Sequence, residues 1–328
     1  MIPCPLIAVA LATAAPGSTV ATGAITCPDR ISISDRDYGG VTLDASGATF
    51  LEGAGIRDVK GLTIKGGTWG RTDRGTIVPH TIRADNVEDF SLANATVVGN
   101  GDEKGNGVSI RAFKRATVRD SYFSGHQQAI AFYGGEDLLA TRNVIEKATS
   151  DGINLADNQR GIVSANSCAW YERSGRQHPD CIQLWSGKGK PLQADIWVIN
   201  NKATGVMQGI LSSDPKTGSG RRLHFHGNYM AVTFSHTITC GACVESVATD
   251  NVLASYPGTL YGIGKLKGFE DPSNVTARNE MRDGTKKLPP RVWWRGVPDV
   301  DGQVGSRFDN RSFAPRPGDL KDVPALPR

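Results

Sequence analysis

Residues 150–187 read SDGINLADNQRGIVSANSCAWYERSGRQHPDCIQLWSG, and the fold is decided by two short segments within them. Asp151-Gly-Ile-Asn-Leu155 and Asp180-Cys-Ile-Gln-Leu184 share one pattern, an acid and a small residue followed by Ile-x-Leu. Apolar residues at alternate positions belong on one face of a strand. The same pattern recurs on both sides, at Thr81-Ile82-Arg83-Ala84, Gly107-Val108-Ser109-Ile110, Ala129-Ile130-Ala131-Phe132 and Gly209-Ile210-Leu211-Ser212. Between the first branched residues of successive copies the steps are 26, 22, 23, 29 and 28 residues. One supersecondary unit every ~22 residues, with insertions of variable length, is the signature of a solenoid.

A second recurring element holds the register. The bend position follows the reference residue by 13 in four copies, Ile82 to Ala95, Val108 to Ser121, Ile130 to Asn143 and Ile153 to Asn166, and is polar in the last three. The series continues through Asn201, Asn228, Asn251 and Asn279. Stacked amides at a bend satisfy turn backbone and one another, so this column is expected to be structural.

Coils of this length with roughly three short strands each predict an all-β, right-handed parallel β-helix. Here the chain resembles the pectin-lyase-like β-helix superfamily of polysaccharide lyases, glycoside hydrolases and epimerases, over roughly Tyr38 to Glu280. The expected organisation is a leader at 1–24, a β-helix at 25–282 and an irregular, proline-rich C-terminal tail at 283–328 that packs on the solenoid.

Alternation assigns faces. With Ile153 and Ile182 inward, Asn154 and Gln183 point outward, as do Arg83 and, two residues further on in each strand, Arg111 and Trp185. Two residues before the reference lies a column without apolar members: His80, Asn106, Gln128, Asp151, Asp180 and Gln208. Neighbouring coils stand about 4.8 Å apart, so Asp151 and Asp180 are expected to meet. Paired carboxyls suit glycoside hydrolysis, a shared proton, or Ca²⁺, for which Asp151 and Asp180 are the candidate ligands. An acid at a strand start also serves simply to accept turn N–H bonds.

Asp151-Gly-Ile and Asp180-Cys-Ile-x-Leu-x-Ser-Gly resemble the two acidic strand motifs of polygalacturonase-type hydrolases, which implies active-site roles for both acids. Pro179 stands where that motif carries a second Asp. His178-Pro-Asp-Cys-Ile-Gln183 is similar to a His-x-Asp-x-Ile-Gln motif of bacterial secreted β-helix proteins. The insertion ahead of it supplies Tyr171, Arg173 and Arg176, and Lys188 follows. Abstraction of a proton next to a uronate carboxylate needs a base, for which Tyr171 or His178 is suited, and cations that neutralise the carboxylate. Arg83, Arg111, Arg173, Arg176 and Lys188 fit that second task, with Asn154, Gln183 and Trp185 on the sugar.

The expected activity is therefore cleavage of an acidic, uronate-containing polysaccharide by β-elimination. The alternatives are hydrolysis by Asp151 and Asp180, epimerisation, and a non-catalytic glycan-binding or adhesin role.

A formal charge of +4 permits an acidic polymer as partner without requiring one. No nucleic-acid module or phosphate-binding loop is present, and a monomer is expected. The first 28 residues carry no charged side chain, and Leu6 to Ala15 resembles the apolar core of a secretory signal, too short to span a bilayer. A secreted or periplasmic protein is expected, from which Cys4 would leave with the leader and five cysteines remain. Cys168 and Cys181 flank the insertion and are placed to staple it, and Cys240-Gly-Ala-Cys243 suggests a local disulfide or buried thiols. His224 and His226 alternate on one strand face and raise the question of a metal.

Overall fold

The computed structural model of the chain describes residues 2–73, 79–101, 105–169, 179–213, 220–233, 236–255 and 265–282. Its strands form a 17-stranded and an 11-stranded sheet, both parallel, that wrap one continuous core as a β-helix. The expected register is observed rung by rung: Ile82 pairs with Val108, Val108 with Ile130, Ile130 with Ile153, Ile153 with Ile182 and Ile182 with Ile210. All six are fully buried, each contributing about 1.5–3 kcal/mol by leaving water. The third face closes the core with a stack running Cys27, Phe50, Trp69, Val97, Phe123, Ile145 and Cys168. Phe50 and Trp69 are offset by one coil, with ring centroids 4.1 Å apart.

Three short strands per coil describes only the later coils. In the earlier ones the first two merge into the long strands Ile31–Asp44, Ala54–Lys65, His80–Ala93 and Asn106–Arg119. The split begins between Gln128–Tyr133 and Glu136–Thr141. There the Asn158 amide reaches up from the next coil, accepting from the Gly135 N–H at 3.2 Å and donating to the Phe132 carbonyl at 3.0 Å. A side chain thus serves backbone groups at a corner that the ladder no longer serves.

The asparagine column forms the ladder its spacing implied. Asn143, Asn166, Asn201 and Asn228 are fully buried; each accepts on Oδ1 from the preceding rung and donates from Nδ2 both to the next asparagine and to a carbonyl. Other bends carry a device that the sequence reading passed over. Arg115, Arg142, Arg160, Arg222 and Arg278 all have φ between 50° and 56°, and each forks onto an aspartate at the same bend one coil earlier: Asp89, Asp120, Asp137, Asp195 and Asp250. Those aspartates are left-handed as well, with φ of 51° to 60°. A non-glycine residue gives up about 1–2 kcal/mol in this region, and a bidentate partner across the rung offsets part of it.

At the N-terminal end, the stretch read as a leader is packed against the first coil. The helix Ile7–Thr13 buries Ile7 and Leu11, and Cys4 is bonded to Cys27. Six cysteines therefore form three pairs, the others being Cys168–Cys181 and Cys240–Cys243. No helix among the described residues is long and apolar enough to cross a membrane. The tail at 283–328 lies outside the described residues.

Candidate active site

Three outward columns of the first sheet carry the candidate residues. The strands Asn106–Arg119, Gln128–Tyr133, Asp151–Ala156 and Asp180–Trp185 lie side by side in that order. Asn154 is opposite Gln183, and Arg111 is opposite Tyr133, itself opposite Ala156 and then Trp185. Asp151 and Asp180 stand two residues before the paired Ile153 and Ile182, on adjacent strands.

Outward direction does not bring exposure here. Asp151 is 3% exposed, Asn154 1% and Asp180 0%, whereas the sequence reading pointed Asn154 to solvent and set the two acids at the bend where each strand begins. The reason is a network of side chains that pack and bond along the sheet. Trp185 Nε1 donates to Asn154 Oδ1 at 3.0 Å, and an indole N–H can only donate. That contact fixes the Asn154 amide, so its Nδ2 faces Asp151 Oδ2 at 2.9 Å and Gln183 Oε1 at 2.7 Å. Gln128 donates to the same Asp151 oxygen at 3.2 Å. Its own Oε1 accepts from Tyr133 OH at 2.7 Å and from Asn106 at 3.3 Å. Asp151 thus sits at the centre of an oriented amide cluster rather than at a turn.

Oδ2 of Asp151 faces two N–H donors, which is the surrounding of a hydrogen-bonded carboxylate. Calcium requires six to eight oxygens, and the amide turned toward Asp151 by Trp185 presents nitrogen. Asn154 Nδ2 and Gln128 Nε2 thus occupy Asp151 Oδ2. Among the described residues no group of three or more His, Cys, Asp and Glu is gathered.

Electrostatics on the preceding rungs are positive. The Arg111 guanidinium lies 4.9 Å from the Tyr133 ring centroid. Burial, then the charges of Arg111, Arg83 and Arg30, press the His80 imidazole down to about 4. Burial raises the Tyr133 phenol above its usual range; Arg111 works against this and Asp151 adds to it. Arg83 is exposed and paired with Asp85 at 2.6 Å, and Lys188 is exposed beyond Trp185. Tyr171, Arg173, Arg176 and His178 lie outside the described residues. The disulfide Cys168–Cys181 closes the base of the insertion that holds them, directly beside Asp180.

Three members of this cluster, Gln128, Tyr133 and Asn106, were not singled out as candidates, although the outward columns already contained them. Their roles come from side-chain bonds between rungs, which alternation alone does not reveal. The His224 and His226 pair has other employment. His224 stacks on Trp197 with centroids 3.8 Å apart and planes at 3°, and His226 Nδ1 is 2.9 Å from Thr249 Oγ1. Lys202 was also unforeseen. It is buried on the third face, where loss of hydration lowers its ammonium to about 5.

No protein-family model and no curated protein matches the chain. Solved structures do. A surface adhesin of Streptococcus pneumoniae, PfbA, is similar at 11% identity over 82% of this chain and 76% of that one, with a TM-score of 0.50. An alginate lyase from a Paenibacillus species matches at 11% identity over 85% and 93%, with a TM-score of 0.49. A family 28 exopolygalacturonase of Yersinia enterocolitica matches at 10% over 85% and 74%, with a TM-score of 0.48. Likeness at such identities speaks to the fold, the parallel β-helix, and not to the reaction.

Proposed function

We propose that the chain is a secreted or periplasmic enzyme that cleaves an acidic, uronate-containing polysaccharide by β-elimination on the outward face around Asp151 and Asp180. One observation carries this reading: a buried carboxylate held by oriented amides lies on the same face as Arg111, which makes no ion pair among the described residues, and two aromatics, Tyr133 and Trp185. Such a face offers a proton-handling centre, a cation for carboxylates and ring surfaces for sugars. His178 or Tyr171 would move the proton, Arg173 and Arg176 would neutralise the uronate, and Asp151 with Asp180 would orient substrate or carry a proton. No step requires a metal. Three disulfides suit an oxidising compartment.

Hydrolysis is the second reading, favoured by the placement of Asp151 and Asp180 on adjacent strands. Carboxyls at about 5 Å suit double displacement and wider ones inversion. The test is incubation with a panel of uronic-acid polymers, following the ultraviolet absorbance of the unsaturated ends that elimination creates. New reducing ends without that absorbance would replace elimination by hydrolysis. No new ends, with the polymer retained on the protein, would mark a binding or adhesin role. Asp180→Asn and His178→Ala are expected to abolish turnover.

A further inference from the structure

Most arginines among the described residues are spoken for. Five fork onto aspartates at the bends, Arg83 bonds Asp85, and Arg30 spends its guanidinium on the carbonyls of Glu52, His80 and Ala54. Arg111 differs. It is half-buried, its Nε reaches only Ser109 Oγ at 3.4 Å, and it makes no ion pair among the described residues. Its planar group lies over Tyr133, whose hydroxyl is anchored to Gln128, so the side chain is held in place while its terminal N–H edges stay unused. A guanidinium presented in this way matches a planar oxyanion. Two neighbours add donors or positive potential. Asn106 shares its strand, and His80 pairs with Asn106 from the rung before, with a buried Nδ1 that has no hydrogen-bond partner among the described residues.

We propose that Arg111, with Asn106 and His80, is a subsite for an acidic group on the saccharide, set about two strand spacings (~10 Å) from Asp151 along the helix axis. Arg111 lies on the strand Asn106–Arg119 and Asp151 two strands further on, with Gln128–Tyr133 between them. A polymer laid along the axis then places its reacting unit at Asp151 and a second charged unit over Arg111, toward the N-terminal end of the solenoid. Burial first, and after it the charges of Arg111, Arg83 and Arg30, disfavour protonation of His80, and those neighbouring charges are the expected companion of such a subsite. This inference rests on the reading of the Asp151 face as the substrate surface, and adds to it a direction and a minimum length.

Calorimetric titration with uronate oligosaccharides of increasing length tests it, using Asp180→Asn protein to prevent turnover. Affinity should rise about tenfold at the length that first reaches Arg111, the gain expected of one charge-assisted contact. That step should vanish in an added Arg111→Gln change, persist in part in Arg111→Lys, and be absent for oligomers whose carboxyls have been reduced. Sulfated neutral oligomers separate the two anion sources: a step with them and none with uronates assigns the subsite to sulfate. Unchanged affinity of long uronates for both Arg111 variants would overturn the subsite while leaving the substrate face intact. If the parent protein binds neither uronate nor sulfated oligomers at any length, the subsite and the reading beneath it fall together. Circular dichroism of each variant guards against misfolding, and Arg111→Lys preserves the test should Arg111→Gln not fold.

Discussion

Replacing Asn201 by alanine tests the asparagine ladder as the element that holds coil to coil. The amide makes four bonds: Oδ1 accepts from the Asn166 N–H and from Asn166 Nδ2, both at 3.0 Å, while Nδ2 donates to Val163 O at 2.8 Å and to Asn228 Oδ1 at 3.1 Å. Alanine strands one buried backbone N–H and one buried amide hydrogen on Asn166. Asn228 keeps its bond from the Asn201 N–H at 3.0 Å. Each stranded buried donor costs about 1–3 kcal/mol, and the vacated volume adds roughly 1 more, giving about 3–7 kcal/mol in all. Asn279 makes the same kinds of bond but is only half-buried at the last described rung, so water can replace its amide and Asn279→Ala should cost about 1 kcal/mol. Urea unfolding followed by circular dichroism gives both values from the midpoints at a common slope. A loss below about 1 kcal/mol for Asn201→Ala, or equal losses at the two positions, would refute the assignment of stability to the buried ladder.

Three further outcomes follow from the same geometry. His126 is 2% exposed, and burial holds its folded pKa at about 4, below the unfolded 6.5. The unfolded chain therefore takes up the proton first, and stability present above pH 6.5 should fall by about 3 kcal/mol as the pH drops to about 4; His126→Gln should flatten that slope in thermal melts. Bonds from Arg115, Arg222 and Arg278 lower the carboxyls of Asp89, Asp195 and Asp250 respectively, so their contribution is complete above the usual pKa near 3.9 and is lost as the pH falls from there through the lowered folded values. Because these bends are solvated, Asp195→Asn should remove no more than about 1 kcal/mol at pH 7, less in high salt, and progressively less as the pH falls below about 3.9. Trp185→Phe removes the indole donor that orients Asn154, and turnover should fall about tenfold or more with little change in melting temperature; unchanged turnover would detach Asn154 from the chemistry.

The fold was legible because a solenoid repeats its constraints. Ile82, Val108, Ile130, Ile153, Ile182 and Ile210 share one inward position, and the same short local pattern marks each rung although the steps vary from 22 to 29 residues. The bends were legible in part. Asparagines at a fixed offset announced themselves, while the Asp-to-Arg pairs, separated by 26, 22, 23, 27 and 28 residues, follow the same coil steps yet escaped notice because acids and bases are common on any surface. The merged strands of the early coils were not legible, since the corner at Gly135 depends on an amide supplied by Asn158 from the next coil.

The candidate site separates along the same line. Which residues face outward follows from period two, and Asn154, Gln183, Trp185 and Arg111 were all found that way, while Asp151 was found as the polar residue at the strand start. Whether an outward group is bathed or buried depends on what its neighbours on the two adjacent rungs reach for. Asn154 acquires its orientation only because Trp185 one rung away can donate and not accept, and Gln128 acquires its role only because Tyr133 and Asn106 occupy its oxygen. The candidate site is built across the strands, by bonds between residues 22 to 31 apart, whereas the periodicity that reveals the fold is written along them. Substituting one rung of that cross-strand chain should therefore disturb groups two rungs distant without loosening the core beneath.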